Sequence, residues 1–203
     1  PETEVDNYVS AKGLESQLQE TFEKEAEMGW MREISDEEAK RIYGDRLAVA
    51  ALKVVKEKTK LRVVHDGTHG VAVNNRIRAR DQARSPTAGE IRALMREKQR
   101  SHGGARRFLF VGDIASAHRR VKVRPEDWGL QACRLKPGTL WLNCVGTFGI
   151  ASAGYWWSRL AAAVVARLGY YMLADSGDTA LMLYYDDLFM EAGRATEIED
   201  ICA

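Results

Sequence analysis

The sequence predicts an α+β fold in which an antiparallel sheet packs on helices. Two kinds of pattern carry this. Charged stretches with apolar residues at helical spacing alternate with short apolar runs of strand length. Two of the runs, Ala180 to Leu183 and Leu188 to Met190, flank Tyr184-Tyr185-Asp186-Asp187, which reads as a tight hairpin whose tip exposes an acidic pair.

Taken in order, Leu14, Leu18, Phe22 and Ala26 recur every four residues and predict an amphipathic helix ending near Gly29. Trp30 to Ile34 reads as a short extended piece. Ser35 with Glu38 has the form of a capping box, so a helix is expected from Asp36 to Tyr43, stopping at Gly44. Leu47 to Val55 and Leu61 to His65 flank polar Lys56 to Lys60 and predict an antiparallel hairpin, a helix being the competing reading of the first run. Thr87 with Glu90 forms a second capping box, with the stripe Ile91, Leu94 and Met95 running to about Arg100 and Gly103-Gly104 ending it. Phe108 to Val111 has the apolar run of a strand covered on both faces, delivering Asp113 to its far end. Trp157, Leu160, Ala161, Val164, Val165 and Leu168 follow helical spacing, with Gly169 as the stop.

Composition excludes some classes. With 203 residues, 45% of them apolar and 29% charged, the chain can bury a core and is not of disordered composition. The apolar stretch Leu160 to Ala174 is interrupted by Arg167, which argues against a membrane span, and there is no signal peptide. Cys133, Cys144 and Cys202 are odd in number and far apart, which points to idle thiols in a reducing, intracellular compartment, cytoplasmic or nuclear. A first residue other than Met suggests a segment of a longer polyprotein. The net charge of +1 hides an asymmetry: Arg76, Arg78, Arg80, Arg84, Arg92, Arg96, Lys98, Arg100, Arg106 and Arg107 face only Asp81, Glu90 and Glu97. Such a segment suits a polyanion, and a solvated basic face is the alternative.

If the strand ending at Asp113 neighbours the Asp186-Asp187 hairpin, three carboxylates come together. Two divalent ions about 3.5 to 4 Å apart on such carboxylates would activate a hydroxyl and stabilise a leaving oxygen in phosphoryl transfer. Magnesium needs no His or Cys ligand there. A solvated Asp-Asp turn is the competing reading.

Ordered motifs along nearly the whole chain resemble the fingers and palm of reverse transcriptases. Lys56 and Lys60-Leu61-Arg62-Val63-Val64-His65-Asp66, followed by Val73-Asn74, is similar to the fingers hairpin. Phe110-Val111-Gly112-Asp113-Ile114-Ala115-Ser116-Ala117-His118 is similar to the first palm motif, and Phe148-Gly149-Ile150-Ala151-Ser152-Ala153-Gly154 to the motif that positions template and nucleotide. Tyr184-Tyr185-Asp186-Asp187 matches the Tyr-x-Asp-Asp signature, and Arg124-Pro125-Glu126-Asp127-Trp128 is closer to retrotransposon enzymes than to retroviral ones.

The resemblance implies a right-hand polymerase fold, with a fingers-like region over residues 1–105 and a palm-like region over 106–203. The first would hold the hairpin near 47–66 and the basic helix near 88–100. The second would be cut short after the Asp pair, with the thumb absent. It implies an RNA-directed DNA polymerase that adds dNTPs to a primer on an RNA or DNA template with two Mg2+ or Mn2+ ions and no membrane partner. Catalytic and metal-binding roles then fall to Asp113, Asp186 and, in support, Asp187, with the Ile114 carbonyl as a further metal contact. Nucleotide contacts fall to Lys56, Arg62, His118, Phe148, Gly149 and Tyr185, and nucleic-acid contacts to Arg76, Arg78, Arg80 and Tyr184.

The chain also departs from the family. His118 stands where a Tyr or Phe blocks the ribose 2′-hydroxyl, so weaker exclusion of ribonucleotides is expected, unless His118 is a surface residue beside Arg119 and Arg120. Gly154 stands where a proline is common, which loosens that helix start. Trp156-Trp157 is read as core packing rather than a base-stacking platform. His65, His69 and His102 fit no zinc pattern. Two rival functions stand beside the polymerase. One is a catalytically inactive or domesticated nucleic-acid-binding remnant of a retroelement. The other, an RNA-dependent RNA polymerase, usually carries Gly-Asp-Asp instead.

Overall fold

The computed structural model describes residues 2–58, 60–82, 84–167, 169, 171 and 179–194. These form a mixed α+β structure with three small antiparallel sheets. The chain divides into two compact units, Pro1–Arg80 with His118–Tyr155 and Asp81–Ala117 with Trp156–Ala203.

In the first unit, helix α1 (Glu15–Glu27) buries Leu18 and Phe22, the middle of the stripe read from the sequence. Strand β1 (Met31–Ser35) follows, and Ser35 Oγ then accepts from the Glu38 N–H to start helix α2 (Asp36–Tyr43). Gly44 ends α2 at φ +50°, a conformation few other residues adopt cheaply. The hairpin is β2 (Leu52–Lys56) and β3 (Leu61–His65), so its first strand starts five residues later than expected. Residues 47–51 are not helical, and Val49 bridges instead to Glu4 and Ala132. Strand β6 (Thr139–Asn143) is central in a sheet of order β1-β6-β5, where β5 is Ala132–Cys133. Phe22 meets Trp141 edge-on at 5.6 Å, and Leu52, Val54 and Cys133 complete that core. Burial pushes the Cys133 thiol well above its usual range, Cys144 is half-buried, both are free, and Cys202 lies outside the described residues.

In the second unit, helix α3 (Ala88–Ser101) has the full capping box, with Thr87 and Glu90 each bonding the other's backbone N–H. Strand β4 (Phe108–Asp113) pairs with β8 (Asp187–Ala192), which pairs with β7 (Ala180–Tyr184), giving the order β4-β8-β7. Alternation puts Phe108, Phe110, Leu188 and Met190 on one face, and Leu109, Val111, Asp113, Phe189 and Asp187 on the other.

Two expectations are corrected here. Strand β4 is not covered on both faces, because Leu109 and Val111 are 51% and 54% exposed. It is an edge strand, and Ile91, Leu94 and Met95 of α3 meet the sheet around Leu109, Ala180, Met182 and Phe189. The second correction concerns helix α4 (Ala151–Leu160), which starts well before Trp157 and continues as a π-helical stretch, Ala161–Ala166. Ala161 is buried in phase with Trp157, whereas Leu160, the last residue before the π-helical stretch, and Val164 within it are 38% and 48% exposed. Gly169 does not end this helix, for it is itself helical, and a Cβ there would lie 2.7 Å from Leu181 Cδ2. The glycine permits close helix-to-sheet packing rather than a stop. The side chain of Val165 and all of Leu168 lie outside the described residues. Among those residues no helix is long and apolar enough to cross a membrane.

Candidate functional site

The sequence-predicted residues fall into two groups, one in each unit. The acidic group belongs to the second unit. Strands β4 and β8 are neighbours, and their register sets Asp113 directly opposite Asp187. Tyr184 is the partner of Asp187 on the other side, so Tyr184, Asp187 and Asp113 stand in a row on one face. Tyr185 and Asp186 form the two-residue turn.

That turn is strained and held. Tyr185 has φ +54°, which two-residue hairpins require but aromatic residues rarely adopt. Two hydrogen bonds fix it: the Trp157 indole Nε1–H donates to the Tyr185 carbonyl at 3.0 Å, and the Ile114 N–H to the Asp186 carbonyl at 2.9 Å. Tyr184 and Tyr185 meet edge-on at 5.2 Å, both exposed. Trp157 is 3% exposed, as expected of a core residue, whereas Trp156 is 55% exposed, so the pair does not act as one packing unit. Consecutive helix positions point about 100° apart, and only one of the two can face the sheet.

The donor chemistry suits a hard divalent cation, since Asp113 and Asp187 share a face and magnesium is commonly held by one or two carboxylates with the remaining positions taken by phosphate and water. Among the described residues no group of three acidic, His or Cys side chains is gathered closely enough to hold a metal ion unaided. Asp186 is thus beside the pair in the turn rather than within one compact triad.

The second group belongs to the first unit. Phe148 is its centre, with the His118 ring at 4.6 Å and the Arg62 guanidinium at 5.3 Å from its centroid. His118 is half-buried, and Arg119 beside it is mostly buried against Glu25 and donates to Asn143 Oδ1 at 2.6 Å. His118 is therefore not part of an exposed basic run. Gly154 lies near it, where an added Cβ would stand 3.8 Å from His118 Nε2.

Gly149 sits at φ +96°, and a Cβ built on it would come within 1.7 Å of the His65 carbonyl oxygen. The close approach that requires glycine is thus to the chain's own backbone. The His65 N–H donates to the Phe148 carbonyl at 2.9 Å, and Asn74 fastens the loop by donating to the Gly149 carbonyl at 2.7 Å and accepting from the Ala151 N–H at 2.8 Å.

Arg62 and Lys56 are not brought together. Arg62 opposes Val55 and Lys56 opposes Leu61, so the period of two turns them to opposite faces of the hairpin. Lys53, exposed, shares the Arg62 face, a placement that motif matching passed over and strand alternation identifies. The sequence reading also missed Glu57, whose carboxylate takes the Arg62 Nε–H at 2.8 Å. Any anion bound by Arg62 competes with it. Arg76, Arg78 and Arg80 are exposed beyond this hairpin, with Arg78 donating to the Asn75 carbonyl at 2.8 Å.

His65 is 1% exposed, and its Nε2 is 3.4 Å from Asn143 Nδ2. Burial, with the nearby Arg119 charge, pushes its pKa down to about 3. Its folded value lies below the unfolded one near 6.5, so the unfolded chain binds the extra proton between those limits. This contribution to stability is complete above about pH 6.5 and is lost on acidification, with a slope of about 1.4 kcal/mol per pH unit in the window. Urea midpoints measured from pH 7 to pH 4 are expected to fall, and His65→Gln to flatten that fall. An equal slope in the variant would assign it to other groups.

Comparison of the chain with protein-family models and with curated proteins returns no match.

Proposed function

We propose that the chain is the fingers and palm part of an RNA-directed DNA polymerase of the retrotransposon kind, a nucleotidyltransferase extending a primer 3′-hydroxyl with dNTPs. One observation carries most of this reading. The β4–β8 ladder sets Asp113 against Asp187 at the mouth of a pinned turn that carries Asp186.

Bound magnesium or manganese would supply positive charge to acidify the attacking hydroxyl and to neutralise the departing pyrophosphate. The residues of the chain do the rest. Asp113, Asp187 and Asp186 offer the carboxylates, and the register gives Asp187 more weight than a supporting role. The Trp157 and Ile114 hydrogen bonds hold the turn, so that its carboxylates need little reorganisation during reaction. Arg62, released from Glu57, would offer its guanidinium to phosphate. His118, tilted against Phe148, is the residue that would discriminate against a ribose 2′-hydroxyl, more weakly than a tyrosine.

A second reading, a nucleic-acid-binding remnant without turnover, is favoured by the lack of a gathered three-carboxylate cluster among the described residues. Primer extension on poly-rA and DNA templates with magnesium or manganese separates the two. The polymerase reading expects Asp113→Asn and Asp186→Asn to lose at least about 100-fold in rate, since metal charge supplies several kcal/mol to the transition state. Extension unaffected by Asp186→Asn would sink the site. Duplex binding by the wild-type chain without any extension would establish the second reading.

A further inference from the structure

Helix α3 carries an arginine flank. Arg92, Arg96 and Arg100 recur every four residues, about 6 Å apart along the axis, and all are exposed. On a helical projection the three arginines centre about 150° from the stripe Ile91, Leu94 and Met95, Glu90 lies about 120° from Arg96, and Glu97 lies about 60° from Arg100. Glu97 is three residues before Arg100, yet no ion pair joins the two among the described residues. Arg84 pairs with Glu90, whereas Arg92, Arg96 and Arg100 have no ion-pair or hydrogen-bond partner among the described residues. Like charges one turn apart weaken a helix, so this spacing has a cost that a solvated surface alone does not explain.

The placement of the flank matters as much as its charge. The apolar stripe of α3 lies along a crevice with Leu109, Ala180, Met182 and Phe189. These belong to the sheet face that also carries Asp113 and Asp187. Because α3 meets the end of that face away from the acidic pair, arginines and carboxylates share one side of the same unit.

We propose that this flank of α3 is a phosphate-backbone contact for a nucleic-acid duplex lying along the face that bears Asp113 and Asp187. The inference rests on the polymerase reading only for identifying the duplex as template and primer. Three guanidiniums in a row fit a row of phosphates and carry no base information, so the contact is sequence-independent. The nucleic-acid contact thereby extends to α3, beyond Arg76, Arg78 and Arg80.

The test is fluorescence anisotropy of a labelled RNA–DNA duplex with the full chain, titrated from about 50 to about 300 mM KCl. Replacing Arg92, Arg96 and Arg100 together by Gln is expected to weaken binding at least about 10-fold and to make the slope of log K against log salt shallower by about 2 to 3, near 0.9 per lost phosphate contact. The triple Lys variant, which keeps the charge, is expected to bind within about threefold of wild type. Arg41→Gln on α2 is the control. An unchanged salt slope in the triple Gln variant, an equal loss in the control, or no duplex binding by wild type at low salt would overturn the proposal. Thermal melting by circular dichroism checks the fold. If the triple variant is unfolded, each single Gln substitution still has to reduce the slope by about 0.9. Primer extension is not read in this assay, so its absence would count against the polymerase reading alone.

Discussion

Replacing Gly149 with alanine is expected to destabilise the first unit by about 3 kcal/mol or more. Two independent penalties add. The backbone at φ +96° lies where L side chains rarely go, and the new Cβ would meet a carbonyl oxygen, a group with no rotamer to give way. Relief requires the loop to move off β3, breaking the bond from the His65 N–H to the Phe148 carbonyl and the grip of Asn74. The Phe148 ring would move with it and lose Arg62 and His118. Urea denaturation of the full chain measures the effect. A midpoint within error of wild type would show that the loop adapts freely and that the glycine is not structurally required.

Glu191→Leu is expected to cost a further large amount, about 3 to 5 kcal/mol, in the second unit. Arg107 binds the Glu191 carboxylate through both Nε and Nη2, the latter at 2.8 Å, and the two side chains are only 12% and 7% exposed. Removing the acid takes from the mostly buried guanidinium the carboxylate that binds both Nε and Nη2. Because Glu191 sits on β8 opposite Leu109, the loss falls on the ladder that holds Asp113 against Asp187. Replacing both partners, as Arg107→Met with Glu191→Leu, is expected to recover part of the stability, since neither charge of this pair is then buried. Thermal melts of Glu191→Leu, Arg107→Met and the double variant check this. A single variant as stable as wild type would mean that the pair contributes nothing net.

Much of the local structure was legible in sequence. Ser35 with Glu38 and Thr87 with Glu90 announce their helices because a cap is a contact between residues three apart. The hairpins were legible for a related reason, since a polar interruption between apolar runs leaves the chain little choice but to turn. Strand β6 was not read. Leu140, Trp141 and Leu142 are all buried, so the alternation that marks a strand is missing. Val164 misled because a π-helical stretch breaks the phase that a regular helix would keep, and Leu160, which precedes that stretch, lies at the exposed margin of the stripe.

For the candidate site, the sequence determined which chemistry the chain carries. Asp113 at a strand end, Asp186-Asp187 in a tight turn, Arg62 in a hairpin and Gly149 in a loop follow from local pattern. Tertiary structure decided how these groups are partnered. Register made Asp187, rather than Asp186, the ladder partner of Asp113, and strand alternation separated Lys56 from Arg62. Glu57 occupies Arg62, the His65 carbonyl explains the glycine at 149, and Trp157 braces Tyr185. Residue type and spacing fix what one segment can do alone, because capping and turning are short-range. Which side chain meets which depends on pairing between segments far apart in the chain, and one residue of register changes the face of every side chain in a strand.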